Sequence, residues 1–128
     1  ESKTTIPQSI HCQRFNGMPT SSGNKYKNAI VKDATSAYHT YGVVWTPDSV
    51  TFTLDGKITW TYDPDMNVPA IWPYNKDFYL IINCAIGGVL GGNVTPKYWT
   101  KINEYNTNSG IRQTYQDYMY VDYVRVYQ

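Results

Sequence analysis

Ser49-Val50-Thr51-Phe52-Thr53-Leu54-Asp55-Gly56-Lys57-Ile58-Thr59-Trp60-Thr61-Tyr62 is the stretch whose reading decides the fold class. Runs rich in β-branched and aromatic side chains flank Asp55-Gly56 on both sides, and such side chains suit a pleated, half-buried surface. Asp-Gly supplies the positive φ values that a two-residue turn between antiparallel strands requires. A β-hairpin of Ser49–Leu54 and Lys57–Tyr62 is therefore expected.

Working outward, Thr46-Pro47-Asp48 is a turn, because Pro holds φ and Asp bonds its own backbone. Tyr38–Trp45 before it reads as a strand, Ala29–Asp33 as a short one, Asn16–Asn28 as a loop and Gln8–Phe15 as the first strand. Downstream, the Pro-rich, polar residues from Asp63 to Asp77 form a loop. Phe78–Ile86 is almost continuously apolar, so it is expected as a central strand buried on both faces. Gly87-Gly88 and Gly91-Gly92 end it. Asn93–Gln116 reads as a long loop with at most a short helix, and Tyr118–Tyr127 as the last strand. Helical periodicity is poor and no repeat is present, so the class is all-β.

Composition narrows the function. Eleven basic and ten acidic residues leave a net charge of +1, which gives no electrostatic footprint for nucleic acid or an anionic membrane. No apolar run reaches the length of a membrane span. Thirteen Tyr and four Trp dominate a 16% aromatic share; their flat faces and polar edges suit both half-wet sheets and stacking on sugar rings. The strands at hand barely supply the neighbours and covering layers that Phe78–Ile86 needs. The chain also opens at Glu1 without an initiator Met or leader. Part of the domain is thus expected to lie outside these 128 residues.

Four blocks carry a resemblance. Tyr38-His39-Thr40-Tyr41-Gly42-Val43-Val44-Trp45-Thr46-Pro47-Asp48 resembles the "FHTYAxEWTPD" segment of glycoside hydrolase family 16. Phe52-Thr53-Leu54-Asp55-Gly56-Lys57 is similar to its "FYVDGK" hairpin. Trp72-Pro73-Tyr74 and Phe78-Tyr79-Leu80-Ile81-Ile82-Asn83-Cys84-Ala85-Ile86-Gly87-Gly88 resemble "WPFDxPFYLILNLAVGG". Met119-Tyr120-Val121-Asp122-Tyr123-Val124-Arg125-Val126-Tyr127-Gln128 resembles the terminal "MxVDYVRVYQ". The blocks keep the family's order and match its laminarinase-like branch best.

The resemblance implies a jelly-roll (concanavalin A-like) sandwich of two curved antiparallel sheets, present here as an incomplete C-terminal half. It implies a secreted, retaining endo-β-1,3-glucan hydrolase acting on laminarin or mixed-linkage β-glucan, with the glycan in a concave cleft. The family's catalytic Glu-x-Asp-x-x-Glu is not in this chain, whose two glutamates are Glu1 and Glu104; the motif is expected upstream, in the missing N-terminal half. The alternative is a β-glucan-binding recognition protein without catalysis.

Ser9-Ile10-His11-Cys12 resembles the family's next strand. Alternation puts Ser9, His11 and Gln13 on one face and Ile10 and Cys12 on the other. His11 either bonds sugar hydroxyls or a catalytic carboxylate, or is an exposed histidine without a role. His39 reads as structural. Asn83 stands in an apolar strand, where an amide costs stability unless its hydrogen bonds are met; a sugar hydroxyl or a core partner would meet them. Cys12 and Cys84 are expected to point into the core as free thiols, with a disulfide as the other reading if their strands are neighbours. Asp122 shares a strand face with Val124 and Val126, and the resemblance implies a structural Ca²⁺ there, with a salt bridge or hydroxyl partner as the other reading. Asn93-Val94-Thr95 matches a glycosylation sequon, but Pro96 after it favours a chance match.

Overall fold

The computed structural model describes residues 5–16, 23, 25–88, 92–93, 100–106, 110–116 and 118–128. Its strands are β1 (Thr5–Ile10), β2 (Lys25–Ile30), β3 (Tyr41–Trp45), β4 (Val50–Leu54), β5 (Lys57–Tyr62), β6 (Thr100–Asn106) and β7 (Gly110–Gln116). Every pairing is antiparallel, in the sheets β1-β2, β3-β4-β5 and β6-β7. The all-β, antiparallel expectation holds. The chain divides into two compact units, Glu1–Leu80 and Ile81–Gln128.

In the first unit the expected hairpin is present. Asp55 and Gly56 take φ of 49° and 76°, as a type I′ turn demands. Between Phe52 and Thr53 the register shifts, leaving Thr59 as an extra residue on β5. Such a bulge redirects a side chain. The Thr59 hydroxyl accepts from Gln8 Nε2 at 2.7 Å and lies 3.0 Å from Gln8 Oε1 and 3.1 Å from the Phe52 carbonyl oxygen. Gln8 is 7% exposed, so this contact satisfies a buried amide that would otherwise be costly.

Sheet β1-β2 packs on sheet β3-β4-β5 around Ile10, Val50, Tyr62 and Trp72, with Phe52, Trp60 and Tyr74 against them. The loop from Asp63 to Ile71 delivers Trp72 by successive turns, in which Ile71 N–H and Trp72 N–H both donate to the Val68 carbonyl. Tyr62 Oη donates to the Ile71 carbonyl at 2.7 Å, and Arg14 N–H donates to Ala70 O at 3.0 Å. Rings then run in sequence: Tyr62 and Trp72 at 6.1 Å, Trp72 and Tyr74 at 5.4 Å, Tyr74 and Phe78 at 5.7 Å. Burial chiefly pushes the Tyr62 and Tyr74 phenols up to about 12, so both stay hydrogen-bond donors through neutral pH.

Several boundaries differ from expectation. The first strand ends at Ile10, because residues 12–15 close a turn with Cys12 and Phe15 exchanging backbone bonds. Lys25–Ile30, expected largely as loop, pairs as β2; Lys25 and Lys27, at the odd positions, hide the period of Ala29 and Val31, which are buried. Asn93–Gln116, expected as loop, contains the β6-β7 hairpin, with Glu104 opposite Arg112.

Phe78–Ile86 and Tyr118–Tyr127 are not strands here. Both runs are extended in sequence character but have no ladder partner among the described residues, and both are exposed: Tyr79 is 85% accessible, Ile81 69% and Val126 75%. A strand exists through its neighbours' N–H and C=O groups, and apolar residues alone do not supply those. Cys12 is buried as expected; Cys84, on the unpaired run, is exposed, and neither forms a disulfide.

His39 has the structural role expected of it. Its Nδ1 lies 2.9 Å from Asp55 Oδ2 and its Nε2 3.1 Å from Asp33 Oδ1. Asp55 Oδ1 also accepts from Thr40 N–H at 2.9 Å. Tyr41 meets the ring edge-on at 6.4 Å, and Lys57 faces Asp55 from β5. Two carboxylates on two ring nitrogens favour the imidazolium, since a neutral imidazole has one donor. The hydrogen bond it donates to Asp55 therefore raises the His39 pKa above 6.5, and the same bond, with that from Thr40 N–H, lowers Asp55 below 3.8. A raised histidine contributes stability that is complete below its unfolded value and lost as pH rises through the folded one. Melting temperature is thus expected to fall as pH climbs above about 6.5, and His39→Gln should flatten that slope. An unchanged slope in the variant would refute the linkage.

Candidate functional site: the outer face of the β1-β2 sheet

β1 alternates between core and solvent. Gln8, Ile10 and Cys12 are buried, while Ser9 is half-buried and His11 is exposed. His11 stands just past the last residue of β1, held there by its carbonyl, which accepts from Tyr74 Oη at 2.5 Å. Its side chain is exposed, and continuing the alternation of β1 puts it on the side of Ser9. Ser9 Oγ approaches the Lys25 carbonyl at 3.5 Å. Gln13, expected beside them, sits exposed in the turn instead.

The register adds two residues. Ser9 pairs with Tyr26 and Pro7 with Asn28, and residues directly opposite in an antiparallel pair share a face. Tyr26 is 45% accessible. The outer face thus presents Pro7, Ser9, His11, Tyr26 and Asn28, with no carboxylate or ammonium among them. Hydroxyl, amide, imidazole and phenol groups beside an open ring suit a neutral polyhydroxylated ligand. Tyr26 and Asn28 were not legible as site residues, because they fell in the segment read as loop; the cross-strand register is the signal that finds them.

A concavity of about 530 Å³ lies where Arg14, Phe15, Lys25, Trp60 and Asp63 meet. Lys25 Nζ sits 5.6 Å from the Phe15 ring centroid. Its wall carries charges of both signs and runs into the aromatic core at Tyr62.

The other expected site residues belong to the second unit. Asn83 and Asp122 are exposed and lie in the two unpaired runs. Among the described residues, no group of three His, Cys, Asp or Glu side chains converges to hold a metal. Asp122 offers a hard oxygen ligand of the kind calcium takes, and backbone carbonyls are the other donors that fit such a site.

The model of glycosyl hydrolases family 16 matches residues 6–107. The chain belongs to this family. Among family 16 and related proteins, it is 35% identical over 115 residues to a glucan endo-1,3-beta-glucosidase A1 of Niallia circulans, covering 84% of this chain and 15% of that protein. It is 27% identical over 128 residues to a beta-glucanase of Rhodothermus marinus, covering 93% of this chain and 38% of that protein. It is 30% identical over 95 residues to a keratan-sulfate endo-1,4-beta-galactosidase of Sphingobacterium multivorum, covering 73% and 19%. The family 16 chain described here therefore spans well under half the length of these relatives. No solved structure matches it significantly.

Proposed function

We propose that this chain is part of a secreted, retaining endo-β-1,3-glucan hydrolase of family 16, acting on laminarin or mixed-linkage β-glucan. The family match over residues 6–107 carries the reading. The glucanase names of the relatives at 35% and 27% identity support it, as does the uncharged outer face of β1-β2. In this reading Ser9, His11 and Asn83 contact the glycan. The paired glutamates that a retaining mechanism needs come from strands not represented in these residues.

Those companion strands are also proposed to cover the exposed runs at residues 78–86 and 118–127. Nine or so extended apolar residues with no ladder partner among the described residues are an aggregation hazard that native sheets avoid. The test is hydrolysis of laminarin by the intact protein that carries this chain. His11→Ala in that protein should lower kcat/KM at least several-fold. An intact protein that binds laminarin without cleaving it would instead establish a recognition protein.

Calcium at Asp122 is proposed as a structural stabiliser, away from the chemistry. A metal that binds only the native state raises stability by mass action. In the intact protein a chelator should lower the melting temperature by several degrees, and Asp122→Ala should abolish that response. Equal chelator effects in parent and variant would remove Asp122 from the site.

A further inference from the structure

We propose that Tyr26 is a ring-stacking platform for a glucan residue, with Asn28 one step along the same row. This rests on the reading of the chain as β-glucan-active and names a contact that reading does not include.

Tyr26 lies directly opposite Ser9, and Asn28 opposite Pro7, so all four project from one side of the sheet. The opposite side of β1-β2 is the core side, where Gln8, Ile10 and Ala29 are buried. Tyr26 is therefore not a core residue: it keeps 45% of its surface accessible on the side that also bears His11. An aromatic ring held on a strand has few torsions to lose on binding, and its flat face complements the axial C–H face of a β-linked glucose. The phenol edge and the Asn28 amide lie on the same row and match the ring's equatorial hydroxyls as donors and acceptors. Pro7, across from Asn28, fixes the local backbone and adds an apolar surface without adding charge. Residues two apart on a strand are separated by about 6.6 Å, so Tyr26 and Asn28 stand side by side on one row of β2 and can contact one glucan chain. Lys27 between them pairs with Gln8, so alternation directs it to the other side.

Affinity electrophoresis of the intact protein in laminarin-containing gels decides the matter, whether or not the glycan is cleaved. Tyr26→Ala should weaken retardation about tenfold in Kd. Tyr26→Phe and Tyr26→Trp, which keep a ring, should stay within about threefold of the parent, and Lys27→Ala should migrate as the parent does. If the parent is retarded and Tyr26→Ala is retarded equally, the platform is wrong while the glucan reading stands. If Tyr26→Phe loses binding as Tyr26→Ala does, the hydroxyl and not the ring makes the contact, and stacking is overturned. A parent that laminarin does not retard overturns the glucan reading and this inference with it. The ring-retaining variants keep the test decisive should alanine at this position impair folding.

Discussion

Trp72→Ala is expected to lower the unfolding free energy of the intact protein by about 3–5 kcal/mol, the range for removing a buried Trp or Phe. Trp72 is 3% exposed, the least accessible of the buried hydrophobic residues described. It bridges the hairpin to the loop that follows, with Tyr62 on one side and Tyr74 on the other. Its backbone is set by the turn at Val68, and the Tyr62 hydroxyl is set by Ile71, the residue before it. The surroundings cannot collapse into the vacated space without breaking those bonds, so the cavity cost adds to the lost burial. Urea unfolding measures it. Trp72→Phe should retain most of the stability, because the stacking on Tyr62 survives. A loss below about 1 kcal/mol for alanine, within the ordinary range of surface changes, would show that Trp72 is not central to this core.

The isolated 128-residue polypeptide is expected to release no reducing sugar from laminarin above a heat-killed control. Retaining hydrolysis requires two carboxyl groups about 5–5.5 Å apart, one to attack and one to deliver a proton. Glu1 and Glu104 are the chain's glutamates, and neither lies in a Glu-x-Asp-x-x-Glu pattern. Asp33 and Asp55 do come near each other, but on opposite nitrogens of His39. The imidazole fills the space between them that a glycosidic bond would need. Enzymes of this kind accelerate their reactions by a factor of 10⁶ or more, so the deficit should be all-or-none. Adding the upstream strands, as the intact protein or as a complementing segment, should restore hydrolysis. Sugar released by the isolated chain would refute the assignment of the catalytic glutamates to another segment.

How much of this was readable in the residues depends on the range of the forces involved. Asp55-Gly56 specified its hairpin locally, because the positive φ values it supplies are a property of two residues. Alternation at Ser9 and Ile10 likewise foretold which of the two is buried, since the period of a strand is set by its backbone. The runs Phe78–Ile86 and Tyr118–Tyr127 show the limit of that logic. Their composition suits strands, yet a strand needs a ladder partner, and none is present among the described residues.

The contacts that give the first unit its particular shape join residues far apart in the chain, and only the tertiary structure decided them. Gln8 finds Thr59 across 51 positions because a bulge in β5 turns that hydroxyl inward. Tyr74 donates to the His11 carbonyl across 63 positions and so holds the backbone just past β1. Tyr26 joins Ser9 on that face only through the β1-β2 register, to which the loop-like composition of residues 16–28 gave no clue. The amino-acid sequence by itself determined the strand chemistry, the turns and the family. Which side chains meet was decided by sheet pairing and packing, because such contacts depend on the sum of many distant ones and not on any local pattern.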